Sequence, residues 1–130
     1  MADAAQQELL DLTRKLLDSI AKADWAAYEK LCDPTLTCFE AEARGQLVEG
    51  MAFHQFYFDL GAANGPRTTT LTSPHVRFLG ADAAVVSYVR LTQRLDASGA
   101  PITVPCEETR IWQRQGAAWK HVHFHRSNPS

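Results

Sequence analysis

Apolar residues near the start of the chain recur every three or four positions, which is the spacing of one face of an α-helix. This pattern predicts a first amphipathic helix from Ala4 to Lys22. Its apolar stripe consists of Leu9, Leu12, Leu16, Leu17 and Ile20. Asp24 is a suitable N-cap for a second, shorter helix, because apolar residues follow it at helical spacing until Asp33-Pro34 interrupts the pattern.

Strand-like patterns dominate the rest of the chain. Residues 36–40 alternate and are rich in Thr, Cys and Phe, and residues 46–48 follow a turn as a short returning strand. Apolar side chains cover most of the circumference of residues 50–60, which predicts a third helix packed between a sheet and a further surface. Hairpin turns then separate four long strands, at residues 68–78, 83–95, 102–114 and 118–126. Helices followed by an antiparallel meander predict an α+β domain whose curved sheet wraps over the helices.

Composition narrows the class of protein. The chain has 130 residues, 45% of them hydrophobic, which fits a single domain over residues 1–130 with one core. A formal net charge of −2 gives no basic excess for binding nucleic acid or an anionic membrane. Without a long apolar run or a basic leader, we expect a soluble, cytoplasmic protein. Cys32, Cys38 and Cys106 form no CxxC pair, so we expect buried free thiols.

Strand parity places three arginines on the side of the sheet where the core should be, because successive side chains alternate between the two faces. These are Arg90, Arg110 and Arg126, each of which shares its face with apolar or aromatic neighbours. An unpaired buried charge costs several kcal/mol, so each guanidinium needs an anionic partner. Two interpretations stay open. One is a cavity that holds a small carboxylate, and the other is internal pairing with Glu40, Glu42, Glu107 or Glu108.

Histidines supply the other candidates for chemistry. Strict alternation puts His121, His123 and His125 on one face of the last strand, and ligands on a single strand diverge, so we predict an outward or interfacial face without metal. His54 on the third helix is a stronger candidate, since a neutral imidazole beside an apolar pocket can donate a hydrogen bond or act as a base. The alternative is a core histidine among aromatic neighbours. The sequence carries no phosphate loop, nucleophile elbow, HExxH or kinase motif, so we predict neither a cofactor nor catalytic residues.

Three long segments resemble the association (hub) domain of calcium/calmodulin-dependent protein kinase II. They are CDPTLTCFEAEARGQLVEGMAFHQFYF, SPHVRFLGADAAVVSYVRLTQ and EETRIWQRQGAAWKHVHFHRS. The resemblance implies a cone-shaped fold similar to nuclear transport factor 2 and the ketosteroid isomerases, with N-terminal helices cradled by a strongly bent antiparallel sheet. It also implies a non-enzymatic scaffold that assembles with itself, as about twelve or fourteen subunits in stacked rings, and that could join the hub domains of kinases.

The same resemblance implies a ligand-binding pocket. The family's pocket arginines correspond to Arg90, Arg110 and Arg126, the three that parity places inward, and its pocket histidine corresponds to His54, with Tyr57 further along the same helix. The expected ligands are small carboxylates, hydroxybutyrate-like acids among them, or acidic peptide segments. The alternative function is an isomerase or dehydratase with His54 as the base and an arginine stabilising an oxyanion. The sequence places no clear carboxylate base in the pocket, which disfavours that alternative.

Overall fold

The helices and strands follow the order that the hydrophobic pattern predicts. The computed structural model describes residues 2–127. Within that range the helices are α1 (Ala4–Ala21), α2 (Trp25–Leu31) and α3 (Ala52–Asp59). The strands are β1 (Cys32–Phe39), β2 (Val48–Glu49), β3 (Thr68–Phe78), β4 (Ala83–Leu95), β5 (Pro101–Gln115) and β6 (Ala118–Arg126). Asp3 and Gln6 form a capping box that begins α1, and the side chain of Asp24 caps α2 as predicted.

All the described strands belong to one open sheet in the order β2-β1-β6-β5-β4-β3. The expectation of a purely antiparallel sheet is wrong at one position, because β1 and β6 run parallel. A parallel pair needs a long connection, and everything from β2 to β5 lies between these two strands in the sequence. The sheet is therefore mixed, with β2 and β3 at its edges.

A β-bulge in β6 changes which histidines face the core. The β5–β6 register slips so that Val122 is an extra, unpaired residue, and an extra residue reverses the alternation of faces. His121 is consequently fully buried on the inner face, whereas His123 and His125 lie on the outer face with partial or full exposure. The prediction that all three histidines share one outward face is wrong for His121.

The core lies between α1, α2 and the inner face of the sheet. Apolar side chains that are at most 2% exposed in this core include Leu9, Leu16, Tyr28, Leu36, Val86, Trp112 and Phe124. Of the stripe predicted for α1, Leu12 and Ile20 are only partly buried. The far side of α3 is uncovered in a single chain, where Phe56 is 62% and Leu60 69% exposed. The further surface expected against this helix is not supplied by residues 2–127 of the same chain.

Candidate functional site

A cavity of about 440 Å³ opens between α3 and the inner face of the sheet. The predicted pocket residues all line it: His54, Tyr57, Arg90, Arg110 and Arg126. Its other polar side chains are Tyr28, Glu40, Glu42 and Arg67, and its apolar ones include Phe58 and Phe124. Four arginines thus face two glutamates in the lining, and the buried Glu108 contacts two of these arginines, which leaves one positive charge in excess.

The sheet register explains why the three predicted arginines meet. In the strand register, Arg126 of β6 lies opposite Glu108 of β5, and Arg90 of β4 lies opposite Cys106 of β5. These positions are therefore neighbours on adjacent strands. Arg110 is two residues beyond Glu108 on the same face of β5. Parity on these three strands therefore brings the guanidinium groups to one region of the inner face.

Glu108 is the anion at the centre of the buried network. Its Oε1 accepts hydrogen bonds from the hydroxyl of Tyr88 at 2.6 Å and from Nη2 of Arg110 at 3.0 Å. Its Oε2 lies 2.7 Å from Nη2 of Arg90, an ion pair by distance although the two groups are not aligned as a hydrogen bond. Burial alone would raise the pKa of Glu108, but Arg110 and Arg90 outweigh it and hold the pKa below its ordinary value. Glu108 is therefore a buried carboxylate shared by two arginines.

Arg110 is the most deeply buried of the three arginines, with 1% of its surface exposed. Its Nε donates to the hydroxyl of Tyr88 at 2.8 Å, and its guanidinium carbon lies 4.5 Å from the ring centre of Phe124. Burial would lower the pKa of Arg110, but Tyr88 and Glu108 together raise it. Arg110 is a fixed cation at the back of the cavity.

Glu40 anchors a second network in the lining of the cavity. Its Oε1 lies 3.1 Å from Nε2 of His54, and its Oε2 accepts a hydrogen bond from Nη2 of Arg126 at 3.1 Å. Arg126 also pairs with Glu42. Burial would raise the pKa of Glu40, but the hydrogen bond and charge of His54, followed by Arg126, lower it overall. The Sγ atom of Cys38 lies 3.4 Å from the same His54 nitrogen.

The internal-pairing interpretation of the arginines is thus realised for Glu40, Glu42 and Glu108, whereas Glu107 is exposed. These ion pairs leave the cavity open. The side chains of Arg90 and Arg126 each keep 16% of their surface exposed. Both side chains therefore remain partly accessible from the cavity that they line.

Two polar features of the cavity were missed by the sequence analysis. Glu40 was named only as a possible arginine partner, and the expectation that no carboxylate is clearly placed in the pocket as a base is wrong, because Glu40 lines it with only 5% of its side chain exposed. Parity along β1 would have found it, since Leu36, Cys38 and Glu40 alternate with outward residues. Arg67 lies in the loop before β3, where no periodic pattern exists to orient it.

The remaining candidates are not among the residues that line the cavity. His121 contacts Sγ of Cys32 at 3.5 Å and Nη1 of Arg110 at 3.4 Å, and burial, reinforced by Arg110, lowers its pKa well below the ordinary value. The three cysteines are free and buried. Burial, reinforced by Glu40, raises the pKa of Cys38 to about 12. Between residues 2 and 127, no helix is long and apolar enough to cross a membrane.

Comparison with known proteins adds a family match. The family described as the calcium/calmodulin dependent protein kinase II association domain matches residues 5–130. The delta subunit of calcium/calmodulin-dependent protein kinase type II from Oryctolagus cuniculus is 51% identical over 126 residues. That match covers 95% of this chain but 24% of the rabbit protein, so the chain spans about a quarter of that relative's length.

Solved structures give the same family and the wider fold. The hub homology domain of the Chlamydomonas reinhardtii kinase is 47% identical, with a TM-score of 0.89 over 95% of this chain and 98% of that one. An NTF2-like protein from Pseudomonas putida is 21% identical, with a TM-score of 0.79 over 99% of this chain and 89% of that one. At that identity the likeness concerns the fold alone, and it agrees with the predicted nuclear-transport-factor-2-like α+β architecture.

Proposed function

Because this chain belongs to the family of the calcium/calmodulin-dependent protein kinase II association domain, we propose that it is a homo-oligomerisation scaffold rather than an enzyme. The match over residues 5–130 carries this proposal. In its finer form, copies of the chain assemble as stacked rings of about twelve or fourteen subunits, which can include the hub domains of related kinases. The kinase activity of the rabbit relative is not part of the proposal.

The surface of a single chain supports self-association. The exposed side of α3 carries Phe56 and Leu60, and the outer face of the sheet carries Phe39 at 39% exposure beside the rings of His123 and His125. Apolar and aromatic side chains of this kind are enriched in the centres of subunit contacts. Repeated contacts between identical copies gain further stability when a ring closes.

Unfolding in urea tests the scaffold proposal, since an assembly stabilises its folded subunits by mass action. We expect the urea midpoint of the purified chain to rise with protein concentration over a hundredfold range. The unfolding signal should be far-ultraviolet circular dichroism, with the oligomer mass followed in parallel by light scattering. A midpoint that is independent of protein concentration would contradict an assembly that is coupled to folding.

For the cavity, we propose a binding site for a small carboxylate or an acidic peptide segment. The excess of arginine over glutamate in its lining supports this ligand class, because guanidinium groups bind carboxylates through paired charge-assisted hydrogen bonds. Arg90 is the best placed for direct contact. Its side chain is partly exposed, and the Glu108 carboxylate that it contacts would remain paired with Arg110 without it.

Calorimetric titration with hydroxybutyrate tests the pocket. Arg90→Ala should weaken binding by about 10- to 100-fold, the worth of one charge-assisted contact. Arg94→Ala is the matched control, because it removes the same charge from the same strand outside the cavity lining, and it should bind like the unmodified chain. Equal hydroxybutyrate affinities for Arg90→Ala and Arg94→Ala would contradict the pocket assignment.

The contact between Glu40 and His54 favours one alternative function, an isomerase or dehydratase in which this pair acts as a general base. Nε2 of His54 faces Glu40, and the same imidazole lines the cavity. This alternative predicts turnover of a small substrate that His54→Ala abolishes while the fold persists. A broad substrate screen without turnover would leave the scaffold proposal alone.

A further inference from the structure

Three side chains that could coordinate a metal ion converge at the cavity, two of them in its lining and the third buried directly beside them. They are Cys38 on β1, Glu40 just after it, and His54 on α3, and one ligand atom from each lies within 4.8 Å of the others. Cys38 is fully buried and His54 is 6% exposed. The sequence separates Cys38 from His54 by sixteen positions without a metal-binding motif, so the packing of α3 against β1 creates the group.

The two distances that end at His54 suit tetrahedral coordination, and the third pair of ligand atoms lies within 4.8 Å. Bonds of about 2.3 Å to sulfur and about 2.0–2.1 Å to nitrogen place these ligand atoms about 3.5 Å apart at the tetrahedral angle, and nitrogen and oxygen ligands about 3.3 Å apart. In this chain Sγ of Cys38 and Oε1 of Glu40 lie 3.4 Å and 3.1 Å from Nε2 of His54. Small movements of these side chains would complete the geometry.

We propose that Cys38, Glu40 and His54 form a binding site for a divalent ion of the zinc type, with a fourth coordination position open to the cavity. A thiolate, an imidazole and a carboxylate are the ligands that zinc accepts. On binding, the thiol of Cys38 releases its proton to solvent and the imidazole carries its proton on Nδ1. That nitrogen has no partner among the described residues whichever tautomer is present, so binding adds no new unpaired group.

The surroundings orient the carboxylate and balance the charge. Oε2 of Glu40 is held by Arg126 at 3.1 Å, which leaves Oε1 directed at His54 and the ion. Such outer contacts fix ligating carboxylates and sharpen the affinity of metal sites. Glu42 also pairs with Arg126 and offsets its charge. The arginines that line the cavity favour an anion, such as a small carboxylate, as the fourth ligand.

Cobalt(II) is the probe for this site, because a bound thiolate gives it a charge-transfer absorption band and tetrahedral coordination gives strong visible bands. We expect both in the purified full chain, saturating at one ion per chain and displaced by zinc. Cys38→Ala should lose the charge-transfer band and weaken binding by more than about 100-fold, since even outer-shell changes cost 10- to 100-fold. Surface histidines can bind cobalt, but without sulfur they produce no such band.

Cys32→Ala is the matched control. Cys32 is also buried and lies 3.5 Å from a histidine, but it belongs to no comparable three-ligand group among residues 2–127. The proposal requires the band to survive in Cys32→Ala. Glu40→Gln, which keeps the side-chain size, provides a second variant should Cys38→Ala fail to fold, and it should weaken cobalt binding at least about tenfold. A band that persists in Cys38→Ala, or no saturable thiolate band in the unmodified chain, would overturn the site.

Discussion

Glu108 shows how one buried carboxylate can hold two cations in place. It is 2% exposed and contacts Tyr88, Arg90 and Arg110. We predict that Glu108→Ala lowers the free energy of unfolding by about 3–5 kcal/mol, because it leaves Arg110 buried without a counter-charge. Chemical unfolding monitored by tryptophan fluorescence at a fixed protein concentration measures this loss.

Glu107, the next residue on β5, provides the control. Its side chain is exposed on the opposite face, so Glu107→Ala should change the free energy of unfolding by about 0.5 kcal/mol or less. If the two variants are equally stable, the buried network does not carry the energy assigned to it.

His121 predicts a dependence of stability on acidity. Its pKa is lowered well below 6.5 in the folded chain by burial and then by Arg110, so below about pH 6.5 the unfolded chain takes up a proton that the folded chain does not. The free energy of unfolding therefore falls as the pH falls, by at most about 1.4 kcal/mol per pH unit for this one proton.

His121→Gln should flatten the slope between pH 6.5 and 5, as measured by urea unfolding at each pH. His125 lies on the exposed face, so the control His125→Gln should keep the slope. An unchanged slope in His121→Gln would contradict the contribution of His121 to the pH dependence.

Helix α3 has two sides with different tasks. His54 points into the cavity, whereas Phe56 and Leu60 are exposed in a single chain. We predict that Phe56→Ser weakens assembly by about 10- to 100-fold per contact, the worth of burying one phenylalanine, without changing the helix content. Sedimentation velocity over a range of concentrations measures the assembly. Gln55→Ser changes an exposed polar residue of the same helix and should assemble normally; equal behaviour of the two variants would exclude α3 from the contact.

Local sequence patterns predicted most helices and strands, because these elements begin and end at residues whose effect is local. β3, β4 and β6 begin and end where the turn residues and alternation place them, and α2 begins at its predicted cap. The parallel pairing of β1 with β6 was not predictable in this way, since it joins segments far apart in the sequence and depends on how the whole sheet closes. The bulge in β6 did leave a signal. Trp119 and Phe124 are both large and apolar but five positions apart, so strict alternation cannot bury both.

The residues of the site were predictable in part as well. Parity alone placed Arg90, Arg110 and Arg126 inward, and the structure brings all three to one cavity. Which carboxylate each arginine meets was left open, because it depends on side-chain packing between strands and on the path of the chain after β1. The contacts of Glu40 with His54 and Arg126 arise only when α3 has docked against the sheet.

The chain combines a cation-rich cavity with an apolar surface that residues 2–127 leave exposed. These features lie close together, since α3 contributes both Tyr57 and His54 to the cavity and Phe56 to the outside. If α3 takes part in the proposed assembly, a ligand that moves this helix alters an assembly contact, and any such ligand must bind one assembly state better than another. The cavity and the proposed assembly would then be linked through α3.

Native mass spectrometry of the purified chain tests the central claim of self-association most directly, because it counts subunits. At 14.4 kDa per chain, closed rings should appear as a narrow distribution at about twelve or fourteen chains. The distribution should persist on dilution, since closure strengthens each contact. A monomer or dimer as the largest species under conditions that preserve other assemblies would contradict the scaffold account and favour a small-molecule function for the cavity.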